Sequence, residues 1–530
     1  MKTERSLTRR ELLQGSLLIA GSSSLPSIVH AAAGSSILPT RAGKVAGVKS
    51  HGVHVFKGIP YGADTRTTRF LPALPPAAWK KTRDASNYGP SCPQPRSREA
   101  MSEDCLYLNA WTPALGDGGK RPIMVYFHGG EFSSGSGSSP LYGGTRLCLR
   151  GDVVVVTVNH RLNTFGHLYL ARLAGPKYAM SGNVGIPDLV QALTWVRDHA
   201  EAIGGDPQRV MVFGQSGGGA KIATLMAMPA ARGLFHRAAT MSGQQITAAG
   251  PRGATERART FMEALKIAPG DIARLNEVPT EDLVAATRAS DPSMVGRNLY
   301  FGPVLDEVSL PRHPFYPDAP PQSAHIPMII GNTLDETRAF HANDPGIYEL
   351  TWEELPGRLL PALHVDIDPE YVISEYRRLY PKYSASEVFF AATTAGRSWR
   401  AAVIEAELRA QQGSPVFAYQ LNYRSPLENG RFGAMHTMDI PLVFDNIAQP
   451  GSQTGKDADA QKTADQMSEA FIAFARSGNP SHAGIPQWRP YELPARATMV
   501  FDAESRVVDD PRGEERRLFA KVPYIQRGTY

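Results

Sequence analysis

The run Gly214-Gln215-Ser216-Gly217-Gly218 follows an apolar segment, 210–213, and precedes a helix-competent stretch, 221–228. In strand, turn, helix order this motif leaves few architectures open. A serine on so sharp a turn is held in a strained backbone conformation, and glycines on both sides make room for the neighbouring strand and helix. Its hydroxyl then stands exposed at the edge of a sheet. The helix that follows directs its N-terminus, and the Gly217 N–H, towards developing negative charge.

A second loop completes that chemistry. The apolar segment 122–127 ends in His128-Gly129-Gly130-Glu131-Phe132 and then Ser133-Ser134-Gly135-Ser136-Gly137. Consecutive glycines at a strand's end let backbone N–H groups point into a pocket, as in the His-Gly-Gly-Gly loops of esterases. Gly130, Glu131 and Gly217 are the expected oxyanion donors, and His128 is expected to pack or orient the loop rather than to act as a base.

A serine hydroxyl is inert near neutral pH, so a base must take its proton and a carboxylate must orient that base. Among the histidines downstream of Ser216, only His436 sits in a loop, Gly433-Ala434-Met435-His436-Thr437-Met438-Asp439-Ile440-Pro441, placed between a strand-like segment and an apolar one. The acid is expected where segment 327–330 runs into Gly331-Asn332-Thr333-Leu334-Asp335-Glu336, the carboxyl end of a strand. Periodicity does not choose between Asp335 and Glu336.

Short apolar segments at 122–127, 153–158, 210–213, 237–241, 327–330 and 416–420 alternate with helical stretches, the pattern of a sheet covered by helices. A helix is expected over 187–203, with Leu189, Leu193, Val196, Ala200 and Ile203 on one stripe and Gly204-Gly205 ending it. Regions 250–320 and 341–410 lack a strand rhythm and read as helical insertions that cover a site. No linker interrupts the chain, so residues 34–530 are expected to form a single catalytic domain.

Residues 1–33 carry Lys2, Arg5, Arg9 and Arg10 ahead of a weakly apolar stretch and Ala31-Ala32-Ala33, the layout of a signal peptide. Thr8-Arg9-Arg10-Glu11-Leu12-Leu13 resembles the twin-arginine motif of bacterial export. The expectation is a periplasmic or secreted protein with no stable membrane insertion after cleavage. Charge excludes other partners: Lys and Arg number 56 against 51 Asp and Glu, without a basic run, so no footprint for nucleic acid is visible. Three cysteines, none in a zinc-like spacing, exclude a disulfide scaffold and point to no metal.

These residues resemble the type-B carboxylesterases, relatives of cholinesterases within the α/β-hydrolase fold. Further matches are Ser102-Glu103-Asp104-Cys105-Leu106-Tyr107-Leu108-Asn109, Phe56-Lys57-Gly58-Ile59-Pro60-Tyr61-Gly62 and Phe474-Ala475-Arg476-Ser477-Gly478-Asn479-Pro480. The resemblance spans nearly all of 40–495. It implies a large, mostly parallel central sheet flanked by helices, with helical insertions over the active site. It also implies Ser216 as nucleophile, Glu336 rather than Asp335 as acid, His436 as base, a bond between Cys92 and Cys105 with Cys148 free, and no cofactor.

Three departures are visible. Gln215 replaces the usual Glu, Gly217 the usual Ala, and Glu131 brings a side chain that must turn away from the site. The activity implied is hydrolysis of small to medium uncharged carboxylic esters through an acyl-enzyme. Hydrolysis of carbamates or amides on the same site, or a binding module that has lost its triad, are the alternatives, and the intact triad argues against the second. Choline esters are expected to be poor substrates, because the segment between Cys92 and Cys105 has no aromatic residue to face a cation and contains Arg96 and Arg98.

Overall fold

Continuous apolar runs make strands that can be buried on both faces, and the centre of the sheet is built this way. In a computed structural model, which describes residues 34–529 apart from Val295, the chain forms thirteen strands. They are β1 (Gly34–Pro39), β2 (Lys44–Ser50), β3 (Val53–Pro60), β4 (Arg83–Asp84), β5 (Tyr107–Thr112), β6 (Arg121–Phe127) and β7 (Val154–Val158). After these come β8 (Gly205–Gln215), β9 (Arg237–Met241), β10 (Met328–Thr333), β11 (Val416–Leu421), β12 (Ala497–Phe501) and β13 (Arg506–Asp509). The order across the sheet is β1-β2-β3-β5-β7-β6-β8-β9-β10-β11-β12-β13, with β4 beside β2. Pairing is parallel from β7 to β12 and antiparallel along the rest of that order, while β4 pairs parallel with β2. The expected leader in 1–33 lies outside the described residues.

Alternation along each central strand sorts its side chains between two cores. Ile123, Val125, Val154, Val156, Val210 and Val212 pack on one face. Met124, Tyr126, Val155, Met211 and Phe213 pack on the other. Because every parallel strand points the same way, the turns after β6, β8, β10 and β11 gather at one edge, where doubly covered sheets build their sites.

The helix expected over 187–203 spans Gly185–His199, and the chain turns at Gly204 (φ +72°) into β8. The helix after the serine runs Gly217–Ala227, directly from the turn, rather than from 221. Three glycines begin this helix despite their poor propensity, because the turn is crowded: a Cβ on Gly218 would lie 1.9 Å from the Phe127 carbonyl oxygen. Region 250–320 holds helices Pro251–Ala264, Ile272–Glu277 and Thr280–Ala286. Region 341–410 holds Pro369–Leu379 and Ala385–Thr394 around an apolar core of its own that includes Leu355, Val372 and Phe389, whereas Arg400–Gln411 packs Ala401, Ala402 and Ala406 into a core of the sheet.

Candidate active site

Ser216 sits between β8 and the helix Gly217–Ala227 at φ 56°, ψ −126°, a conformation that costs a non-glycine residue on the order of 1–3 kcal/mol. Its N–H donates to the Met241 carbonyl at 2.8 Å, which ties the turn to the end of β9. The side chain is half-buried and borders a cavity of about 710 Å³, mouth included.

The turn after β10 delivers both candidate acids to different tasks. Glu336 is buried; its Oε1 accepts from the Thr333 N–H at 2.9 Å and from Asn332 Nδ2 at 3.1 Å, while Oε2 meets His436 Nδ1. Burial pushes this carboxyl up, but the charge of His436 and the hydrogen bonds outweigh burial, so it stays below its ordinary range. Asp335 instead accepts from the Ala434 N–H at 2.9 Å and pairs with Arg338 at 3.4 Å and Arg424 at 3.7 Å. Asp335 therefore braces the loop that carries His436, and Glu336 orients the ring.

Gln215 Nε2 lies 3.3 Å from Nδ1 and 3.1 Å from Nε2 of His436. The two in-plane lone-pair directions of an imidazole diverge, so a donor equally near both nitrogens lies over the ring face. Among the described residues His436 makes no hydrogen bond with Ser216. Catalytic hydrogen bonds of this kind often tighten only when substrate arrives.

The Gly130, Glu131 and Gly217 N–H groups take no acceptor among the described residues. Gly130 and Glu131 both have positive φ, +83° and 54°. A Cβ on Gly217 would come within 2.4 Å of the Glu131 Cα and N, so the glycine at 217 and the glutamate backbone at 131 fit one another. Two of the departures are thus one feature. Glu131 is exposed at the cavity, near enough to Arg397 and Arg527 for its charge to act on both; it does not turn away from the site.

His128 has the loop role expected. It is buried, its Nδ1 is 2.8 Å from the Gly129 carbonyl, and its ring stacks on His160 at 5.0 Å. Burial and the nearby charge of Lys221 push it down to about 3, so it stays neutral.

The sequence reading missed several residues. Lys221 is the one charge in the helix Gly217–Ala227; it is buried and donates to the His128 carbonyl at 2.9 Å, clamping the root of the oxyanion loop. Burial pushes its ammonium down to about 7. A lone lysine in an apolar helix was a signal that could have found it. Asp439, buried behind the Glu336–His436 pair, accepts from Tyr419 OH at 2.7 Å, and burial pushes it up to about 7. Arg397, His364 and Arg527 line the cavity from segments that carry no motif.

The bond expected between Cys92 and Cys105 is not formed in this structure: both are buried free thiols, as is Cys148. A hydrogen bond to Cys92, together with burial, raises the Cys105 thiol far above its ordinary value, which favours the protonated form.

A model of the carboxylesterase family matches residues 34–519. The chain is similar to the para-nitrobenzyl esterase of Bacillus subtilis (strain 168), 35% identical over 502 residues that cover 91% of this chain and 98% of that one. It is also similar to the phenmedipham hydrolase of Pseudarthrobacter oxydans, 34% identical over 507 residues, 89% of this chain and 96% of that one. Among solved structures, the Geobacillus stearothermophilus carboxylesterase EST55 at pH 6.2 aligns with a TM-score of 0.81 at 38% identity, over 91% of this chain and 99% of that one.

Proposed function

The chain belongs to the carboxylesterase family, with its α/β-hydrolase fold, and is a carboxylic-ester hydrolase (EC 3.1.1); from that premise we propose a mechanism resting on Ser216, His436 and Glu336. Ser216 Oγ attacks the ester carbonyl as His436 Nε2 takes its proton. The imidazolium so formed is held by Glu336, and the N–H groups of Gly130, Glu131 and Gly217 receive the tetrahedral oxyanion. His436 then returns the proton to the leaving alcohol, and water frees the acid from the acyl-enzyme by the same route in reverse. The observation that carries this reading is the buried Glu336–His436 contact beside a serine in a strained turn.

The substrates proposed are small to medium uncharged esters. A fluorophosphonate reagent should attach to the peptide containing Ser216 and abolish hydrolysis; inactivation with the label on another residue would sink the mechanism.

Two further proposals concern maturation. Residues 1–33 are an export leader and 34–530 the catalytic domain; an exported protein whose first residue is Met1 would refute this. Cys92 and Cys105 join on oxidation, which would stabilise the chain by ~3 kcal/mol. Three reactive thiols in the denatured, exported protein, instead of one, would refute that.

A further inference from the structure

The wall of the cavity over Ser216 is cationic. Arg397 and Arg527 both line it, and among its lining residues Glu131 is the one carboxylate. Several buried arginines elsewhere in the fold are neutralised, Arg69 by Glu103 at 2.5 Å, Arg161 by Asp188 at 2.6 Å and Arg257 by Asp291 at 2.7 Å, and buried Arg409, which has no ion pair among the described residues, donates to the Ser323 and Ile326 carbonyls. Arg397 and Arg527 make no ion pair among the described residues. Arg527 donates to His364 Nε2 at 3.2 Å, a neutral acceptor, since burial and the charges of Arg527, Arg397 and Arg297 push that imidazole down to about 3.

Arg397 stands close to the reacting groups. Its guanidinium lies 3.9 Å over the Phe340 ring, and that ring is 5.0 Å from the ring of His436. It is carried on the π-helical turn Ala395–Trp399 between two α-helices, an irregularity frequent at functional sites. Two guanidinium groups held together against burial and mutual repulsion, with the charge of Glu131 acting on both but closing an ion pair with neither, leave a site for an anion.

Resting on the serine-esterase reading above, we propose that this enzyme takes esters carrying a second, free carboxylate, which Arg397 and Arg527 bind while Ser216 attacks the ester carbonyl. The planar fork of arginine matches a carboxylate with two parallel hydrogen bonds. The proposal departs from the uncharged esters expected from the sequence and extends the substrate class to half-esters and related anionic esters.

The test is the ratio of kcat/KM for mono-4-nitrophenyl adipate, with its free carboxylate, to that for the methyl-capped diester, each followed by nitrophenolate release and corrected for its rate of alkaline hydrolysis. The expected ratio is about ten or more at low salt, expressed in KM, and it falls as ionic strength rises. Arg397→Gln and Arg527→Gln should each lower the ratio about ten-fold. Adipate should inhibit the unaltered enzyme competitively where its diamide does not, a measurement that needs no variant. A ratio of one or below, a ratio unmoved by both substitutions, or equal inhibition by adipate and the diamide overturns the proposal while the mechanism at Ser216 stands. Hydrolysis of neither ester, with Ser216 unlabelled by the phosphonate, overturns the mechanism and the proposal with it.

Discussion

Ser216, the glycine loop at 128–132 and Glu336 stand at the ends of parallel strands and His436 on the long loop that follows β11, whereas His364, Arg397 and Arg527 stand on a helical insertion and a C-terminal segment. The floor is held by backbone: strand register, the Ser216 N–H on Met241, and glycines packed against carbonyls. The wall is held by side chains, an arginine stacked on a phenylalanine and another donating a hydrogen bond to a histidine. Bond-making atoms need placement within a fraction of an ångström, which strand ends supply. Selection among substrates needs only charge and shape, which insertions can change without moving the floor.

The largest test falls on the floor. Ser216→Ala and His436→Ala should each lower kcat by about 10⁵–10⁶, and the double variant should be no slower than either, because the two act as one unit. Glu336→Gln should cost about 10³–10⁴ and Asp335→Asn less than about ten-fold. A reversal of those last two would transfer the orienting role to Asp335 and break the division of labour described above.

Gly217→Ala comes next. The new Cβ must displace the Glu131 backbone, so kcat should fall by about 10²–10³-fold, the order expected for loss of one oxyanion donor. Unchanged kcat would show that Glu131 contributes no donor.

The wall is tested by charge. A butyryl ester of choline should have kcat/KM about ten-fold or more below that of a neutral alcohol butyrate of similar leaving-group reactivity, since a quaternary ammonium meets two guanidinium groups. A preference for choline would reverse the polarity assigned to the wall.

The smallest effect on catalysis, and one read in stability, belongs to Asp439. Burial raises its carboxyl to about 7, so between about pH 4 and 7 the folded chain keeps a proton that the unfolded chain has lost. The unaltered protein should lose stability across that window as pH rises, and Asp439→Asn should lack that loss. The variant should therefore match the parent near pH 4 and exceed it at pH 8 by a few kcal/mol, measured by denaturant unfolding. Parallel pH profiles for the two proteins would place the proton elsewhere.

The parts legible in the sequence are those governed by local sterics or by two-sided burial. Central strands β6 to β11 read as apolar runs because both of their faces are covered. The margins did not: β2, Lys-Val-Ala-Gly-Val-Lys-Ser, alternates exposed with covered positions, and its pairing with β1 and β3 is invisible in so short a run. The choice between Asp335 and Glu336 was beyond periodicity, and it took a family resemblance to make it. In the structure the two carboxylates diverge from adjacent positions, one to backbone and one to imidazole.

The sequence by itself determined the strained serine turn, the glycine-lined loop and the histidine loop, because a backbone that must adopt positive φ or approach a carbonyl closely excludes all but a few residue types at that very position. Only the tertiary structure decided that Gln215 covers the face of His436, that Lys221 clamps the loop at His128, and that Arg397 reaches the ring of His436 through Phe340. Long polar side chains carry no local signature of their partner. Which carbonyl, ring or charge they meet depends on segments that the sheet brings together from 93 and 221 residues apart.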